Sequence, residues 1–383
     1  MTLQKICAPF LACFLIAPLT NAAETPPNLG ANAALQYWPA FELLPQNEGE
    51  PEIIQHWEHA PLDEAAAKII QDGRQSLVFL HAGAKISQCD WGLDFTQGVD
   101  LLLPHLNKSR MLTNLACLRT RYEFQQHQLA AAVDDACDVF ICARHVARDP
   151  ILISMLVQFG MERSAIDALA ANLNQLDAAS MKHLSERLDQ LPPSGTLADA
   201  IKAESDLSVN WAIQRVKNAG PNPNWAQVFS FVQSGNEGKD QNPSVDDLLK
   251  ESGGSPAMVI QQLSELLSYY DEMGKLLSTP HSQEEFHEKS AELDSRYQSN
   301  SFGKLFLPSF SKAYDAQAAA QTRMLLLKSA LAVLQHGEAA AKNLQDPVNH
   351  QPIEYEANPH GFVLTSKVID RGKPVILIVG ANE

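Results

Sequence analysis

Asp138, Cys142 and His145 fall at i, i+4 and i+7, so on a helix all three side chains project from one face. A carboxylate, a thiol and an imidazole converging in this way could hold zinc or copper, or set Cys142 up as a nucleophile beside its base. Cys117 and Cys137 lie on the same expected hairpin as Cys142, and Cys89 precedes it. Three outcomes therefore compete: a disulfide from Cys117 to Cys137 or Cys142, buried free thiols, or a metal or thiol site. An even set of cysteines in an oxidising compartment permits disulfides, and spacing leaves their connectivity open. The two structural outcomes are expected over the third, so no catalytic residue, metal or cofactor is assigned.

Other clusters carry less. His56 and His59 stand three apart, yet no spacing fixes a third ligand beside them. His281, Glu284, Glu285, His287 and Glu288 mix imidazoles with carboxylates but lack the His-Glu-x-x-His order of a zinc-protease helix, and read as a solvated charged face. The chain contains no Gly-x-Ser-x-Gly, no phosphate-binding glycine loop and no Cys-x-x-Cys.

The elements that position these residues are mostly helical. Ala34, Leu35, Trp38 and Phe41 recur at helical spacing, with Asn32 as a cap, and this aromatic stripe is expected to dock on the core. Apolar residues from Pro61 to Lys85 continue at threes and fours, weakened at Gly73. Pro104 to Gln126 and Leu129 to Arg148 form a hairpin turning at His127-Gln128, with alanines facing large apolar residues as in tetratricopeptide-type repeats, though no strict repeat is found. Asp149-Pro150 is expected to cap and start a helix to Leu173. Further helices are expected over Asp177–Leu191, Thr196–Asn218, Pro256–Ser278, Ser282–Gln298 and Pro308–His336, with a polar loop from Ser234 to Ser244. After Gln345 three β-type runs follow, in residues 352–356, 361–366 and 374–379. The expected fold is mainly α, an array of antiparallel helical hairpins with a small C-terminal antiparallel β cap.

Met1 to Ala22 has a lysine, an apolar run from Ile6 to Leu19 and small residues at its end, the parts of a signal peptide cut after Ala22 or Ala23. The expected division is 1–22 signal peptide, 23–345 helical body with a subdivision near 192–224, and 346–383 cap. With the leader removed no transmembrane span is expected, and the mature chain is placed in the periplasm or outside the cell. A formal charge of −16 disfavours nucleic acid as a partner.

Asn32–Pro45, Cys89–Asp94, Leu102–Leu106 and Ala143–Val146 resemble segments of an uncharacterised family of secreted, mostly helical bacterial envelope proteins. That resemblance implies compartment and fold, and no activity. The tail Asp346-Pro347, Pro352, Tyr355 and His360–Ser366 is similar to the C-terminal region of type II secretion pseudopilins, but the acidic glycine-rich stretch that can bind calcium in them is replaced here by Val368–Lys373. The functional expectation is a non-enzymatic exported scaffold that binds another envelope protein. The alternatives are a metal- or thiol-dependent hydrolase with its site between Cys89 and His145, and a secretion-system accessory.

Overall fold

The computed structural model describes residues 32–46, 50–234, 244–250, 252–297, 299–341 and 344–380. The expected signal peptide and nearly all of the polar Ser234–Ser244 loop lie outside the described residues. The helices are α1 (Ala34–Glu42), α2 (Glu50–Gln55), α3 (Glu64–Asp72), α4 (Arg74–Ala84), α5 (Pro104–Gln125), α6 (Leu129–Val146), α7 (Leu152–Ala170), α8 (Ala178–Asp189) and α9 (Leu197–Ser205). They continue as α10 (Trp211–Asn218), α11 (Trp225–Val228), α12 (Ser230–Ser234), α13 (Val245–Leu249), α14 (Pro256–Leu277), α15 (Gln283–Tyr297), α16 (Gly303–Phe306) and α17 (Phe310–His336). Strands β1 (Glu354–Asn358), β2 (Gly361–Asp370) and β3 (Lys373–Val379) follow. The fold is thus mainly α with a small antiparallel sheet at its C-terminal end.

In α1 the buried residues are Ala34, Tyr37, Ala40 and Phe41, one face at helical spacing. That face meets α4 closely because Gly83 has no side chain: a Cβ there would stand 2.5 Å from the Tyr37 ring. Asn32 fixes the start of α1, its Oδ1 accepting from Ala34 N at 3.1 Å and from Asp90 N at 2.9 Å. The run from Pro61 to Lys85 divides at Gly73 into α3 and α4, and Asp63 caps α3 by accepting from Ala65 N and Ala66 N. α5 and α6 turn at His127, whose φ is 56°, and pack along each other; α7 packs on both, and α17 on α7.

The expected start of α7 needs correction. Pro150 precedes the helix rather than opening it, and Ile151 is extended. The first free N–H, that of Leu152, donates at 2.6 Å to Glu204 Oε1, a carboxylate from α9 fifty-two residues on. Asp149 points elsewhere and leaves its Oδ2 without a partner among the described residues. Thr196 and Asp199, by contrast, form a capping box at the start of α9. The helix they open runs on through a π-turn at Asp206–Asn210 into α10.

The sheet has the order β1-β2-β3, with Tyr355 opposite Leu364 and Leu364 opposite Leu377. Phe362, Leu364, Val368, Val375, Leu377 and Val379 point inward against α7 and α17, and belong to the same apolar core as Tyr37, Leu115 and Phe140. Gln283 at the start of α15 accepts from Ile369 N at 2.7 Å and donates to Ile369 O at 2.8 Å, where the β2–β3 register shifts. No helix among the described residues is long and apolar enough to cross a membrane.

Candidate functional site

The α6 triplet does share a buried surface, but its members serve different neighbours. Asp138 turns to His81 Nδ1 at 2.6 Å and to Arg187 at 2.9 Å, tying α6 to α4 and α8. Arg187 also donates to Asp134, which pairs with His183 at 2.9 Å. The Tyr37 hydroxyl lies 2.8 Å from His145 Nδ1. Among the described residues no three His, Cys, Asp or Glu side chains converge as metal ligands.

Burial sets the protonation of this region. It pushes the Cys142 thiol far up and pulls the His145 imidazole down to about 4, so neither ionises near neutrality. A thiolate beside an imidazolium, the pair a cysteine nucleophile requires, does not form there. Cys89 and Cys137 are each pushed up to about 12, and Cys117 is raised well above its ordinary value, again by burial first. The four cysteines among the described residues are free thiols.

Around this cluster the aromatic rings stack on Trp91. His105 lies 4.5 Å away, Tyr37 at 5.6 Å and Phe41 at 6.0 Å between ring centroids, and Trp91 Nε1 donates to His145 O at 2.9 Å. The segments Asn32–Pro45, Cys89–Asp94, Leu102–Leu106 and Ala143–Val146 therefore meet at one ring cluster. Among the described residues both nitrogens of His105 and Nε2 of His145 have no hydrogen-bond partner, and this assembly is closed to solvent. It holds the fold together and offers a ligand no opening.

His56 and His59 stand in the turn after α2, both exposed, and are not on one helix face. His287 pairs with Asp315 at 2.9 Å, and Glu285 accepts from Ser282 N at 3.0 Å at the start of α15. Glu284 and Glu288 are exposed, so this group is a helix start and a solvated face.

An open site of useful size lies elsewhere, in a cleft of about 1190 Å³ between the helical body and the cap. Its walls come from five places in the chain. Glu58, His59 and Leu62 follow α2; Arg121 and Gln125 end α5; Arg163 and Asp167 belong to α7; Arg323 projects from α17; and the β2–β3 hairpin adds residues from Asp370 to Gly380. Arg323 donates to Asp370 at 2.6 Å, and Arg163 lies 3.4 Å from Asp167 and 3.9 Å from Asp370. Arg121 donates to the carbonyls of Trp57 and Ala60, which fixes the turn that carries Glu58 and His59.

One side-chain and one backbone hydrogen bond hold the opposite wall. Asn174 Nδ2 donates to His360 O at 2.8 Å, and Gly380 N donates to Ala170 O at 3.2 Å. Gly380 has φ +94°, and a Cβ on it would stand 2.2 Å from His360 O, so only glycine lets the chain close against the β1–β2 turn. Arg371 and Lys373, at the exposed tip of the hairpin, make no ion pair among the described residues. Arg121, Arg163, Arg323, Arg371 and Lys373 thus outnumber Glu58, Asp167 and Asp370 along the lining, on a chain whose formal charge is −16. Among the described residues the lining contains no serine, threonine, cysteine or tyrosine. Of the lining, His59 was singled out from the sequence, as a possible metal ligand beside His56, but no local spacing brings the arginines and Lys373 together. No protein-family model, curated protein or solved structure matches this chain.

Proposed function

We propose that this chain is an exported, non-enzymatic binding module that receives an anionic partner in the cleft between its helices and its cap. The observation that carries the reading is the local excess of guanidinium and ammonium groups on an otherwise acidic molecule. Distant carboxylates do not cancel it, since at physiological ionic strength charges more than about 8 Å away through solvent are largely screened. Arginine suits the task because its planar fork grips carboxylate and phosphate oxygens in pairs. A nucleic-acid duplex is a poor occupant, since it would press phosphates against the acidic exterior as well. The absence of a hydroxyl or thiol from the lining favours binding over nucleophilic catalysis, as does the neutral, enclosed state of Cys142 and His145. Export rests on the sequence of residues 1–22 and makes another envelope protein the natural partner.

The test is calorimetric titration of the mature protein with hexaglutamate. The expected result is saturable binding that weakens about tenfold in the double variant Arg371→Ser/Lys373→Ser and falls with added salt. Among the described residues those two exposed side chains make no ion pair, so the variant is expected to keep its structure. Equal affinity in the variant, or no binding by the parent protein, would overturn the reading. For export, mass spectrometry of the envelope fraction should show an N-terminus at Ala23 or Glu24. An intact Met1 in cytosolic material is the opposing result.

A further inference from the structure

Resting on the anionic-partner reading, we infer that the cleft takes an extended acidic peptide segment of a partner protein, which adds as a strand to the free edge of β3. β3 ends the sheet order β1-β2-β3 and, among the described residues, pairs only with β2. Just beyond the strand Gly380 N reaches Ala170 O, but among the described residues no other backbone group bonds the outer edge of residues 373–379. Ile376, Leu377 and Ile378 all line the cleft in succession. Side chains of a strand alternate between faces, Leu377 being buried and Ile376 exposed, so a wall that meets three consecutive residues is the strand's edge.

An exposed edge is a template for another backbone, and natural sheets guard such edges with lysine and proline. Here Lys373 and Pro374 guard only the beginning, which leaves Val375 to Val379 open. At about 1190 Å³ the cleft also exceeds the roughly 300–1,000 Å³ of ordinary small-molecule pockets, as a segment of chain requires. Backbone pairing on β3 would supply affinity, and Arg163, Arg371 and Lys373 would select carboxylates at alternate positions. Leu62 and Ile376 provide apolar contact for the residues between them.

The experiment uses fluorescence polarisation of a labelled hexapeptide of alternating glutamate and valine with the full mature protein. Two further peptides carry N-methyl groups on either the odd or the even residues. An added strand uses the N–H groups of one phase only, so one methylated peptide should bind about tenfold more weakly while the other binds as the parent does. If both methylated peptides match the parent, the edge is not used and the inference fails, while hexaglutamate binding still upholds the anionic cleft. If the parent peptide does not bind but hexaglutamate does, the inference fails in the same way. Sedimentation showing a dimer that Ile376→Glu dissolves would also overturn it, by making the occupant a second copy of this chain.

Discussion

His105 and His145 share an enclosed aromatic surround, and burial pulls both imidazoles from the ordinary 6.5 down to about 4, with Arg148 adding to the effect at His145. Between those values the folded protein keeps both rings neutral, whereas the unfolded chain protonates them. The unfolded state then binds more protons, so stability rises with pH across the window, is fully present above about 6.5 and is lost as the pH falls toward 4. A displacement of this size corresponds to at most about 3 kcal/mol for each ring. Asp149 works in the opposite sense. Burial first, and then the Asp90 charge, raise its carboxyl from 3.8 to about 6, so its contribution is present in acid and is lost as the pH rises through that range. Urea unfolding followed by circular dichroism at a series of pH values separates the two. His105→Leu should flatten the dependence of stability on pH between 6.5 and 4, and Asp149→Asn should steepen it. Parallel slopes in all three proteins would mean that these groups are solvated.

At the scale of elements, the start of α7 shows how a tertiary contact replaces a local cap. Leu152 N is satisfied by Glu204, so Glu204→Ala should cost about 1 kcal/mol in a urea titration, while Glu204→Gln, which keeps an acceptor oxygen, should recover much of it. Asp149→Ala should leave the helix start intact, because its carboxylate does not cap it. The sequence signal at Asp149-Pro150 was sound as chemistry but could not include a carboxylate arriving from another helix. Where the partner is local the sequence was enough: Thr196 with Asp199 opens α9, and the three β runs fall within a few residues of where β1, β2 and β3 begin. The α6 triplet was legible as a common face, since 3.6 residues per turn decides that. Which neighbour each side chain would meet was not, because His81, Arg187 and Tyr37 come from α4, α8 and α1. The cleft was invisible for the same reason, its lining being drawn from residues near 58, 121, 163, 323 and 370.

Over the whole molecule, the cap and the helical body share one core, and this makes the cleft a property of the complete chain. Leu377 is 2 % exposed and belongs to the same apolar cluster as Trp57, Trp91 and Leu326. Arg323 to Asp370, Gln283 to Ile369 and Asn174 to His360 bind the two parts by polar contacts around that core. A cap that merely rested on the helices would melt alone and leave the body unaffected. Every tryptophan, at positions 38, 57, 91, 211 and 225, lies in the body, so tryptophan fluorescence reports on the body and not on the sheet. Leu377→Ala removes buried apolar volume from the cap and should cost about 2–5 kcal/mol. With a shared core the tryptophan transition in urea should move to lower denaturant by the full amount and coincide with the transition seen by far-ultraviolet circular dichroism. A tryptophan midpoint that stays where it was in the parent protein would show that the cap folds by itself. The cleft walls would then be free to part, and β3 could not present a fixed edge to a partner.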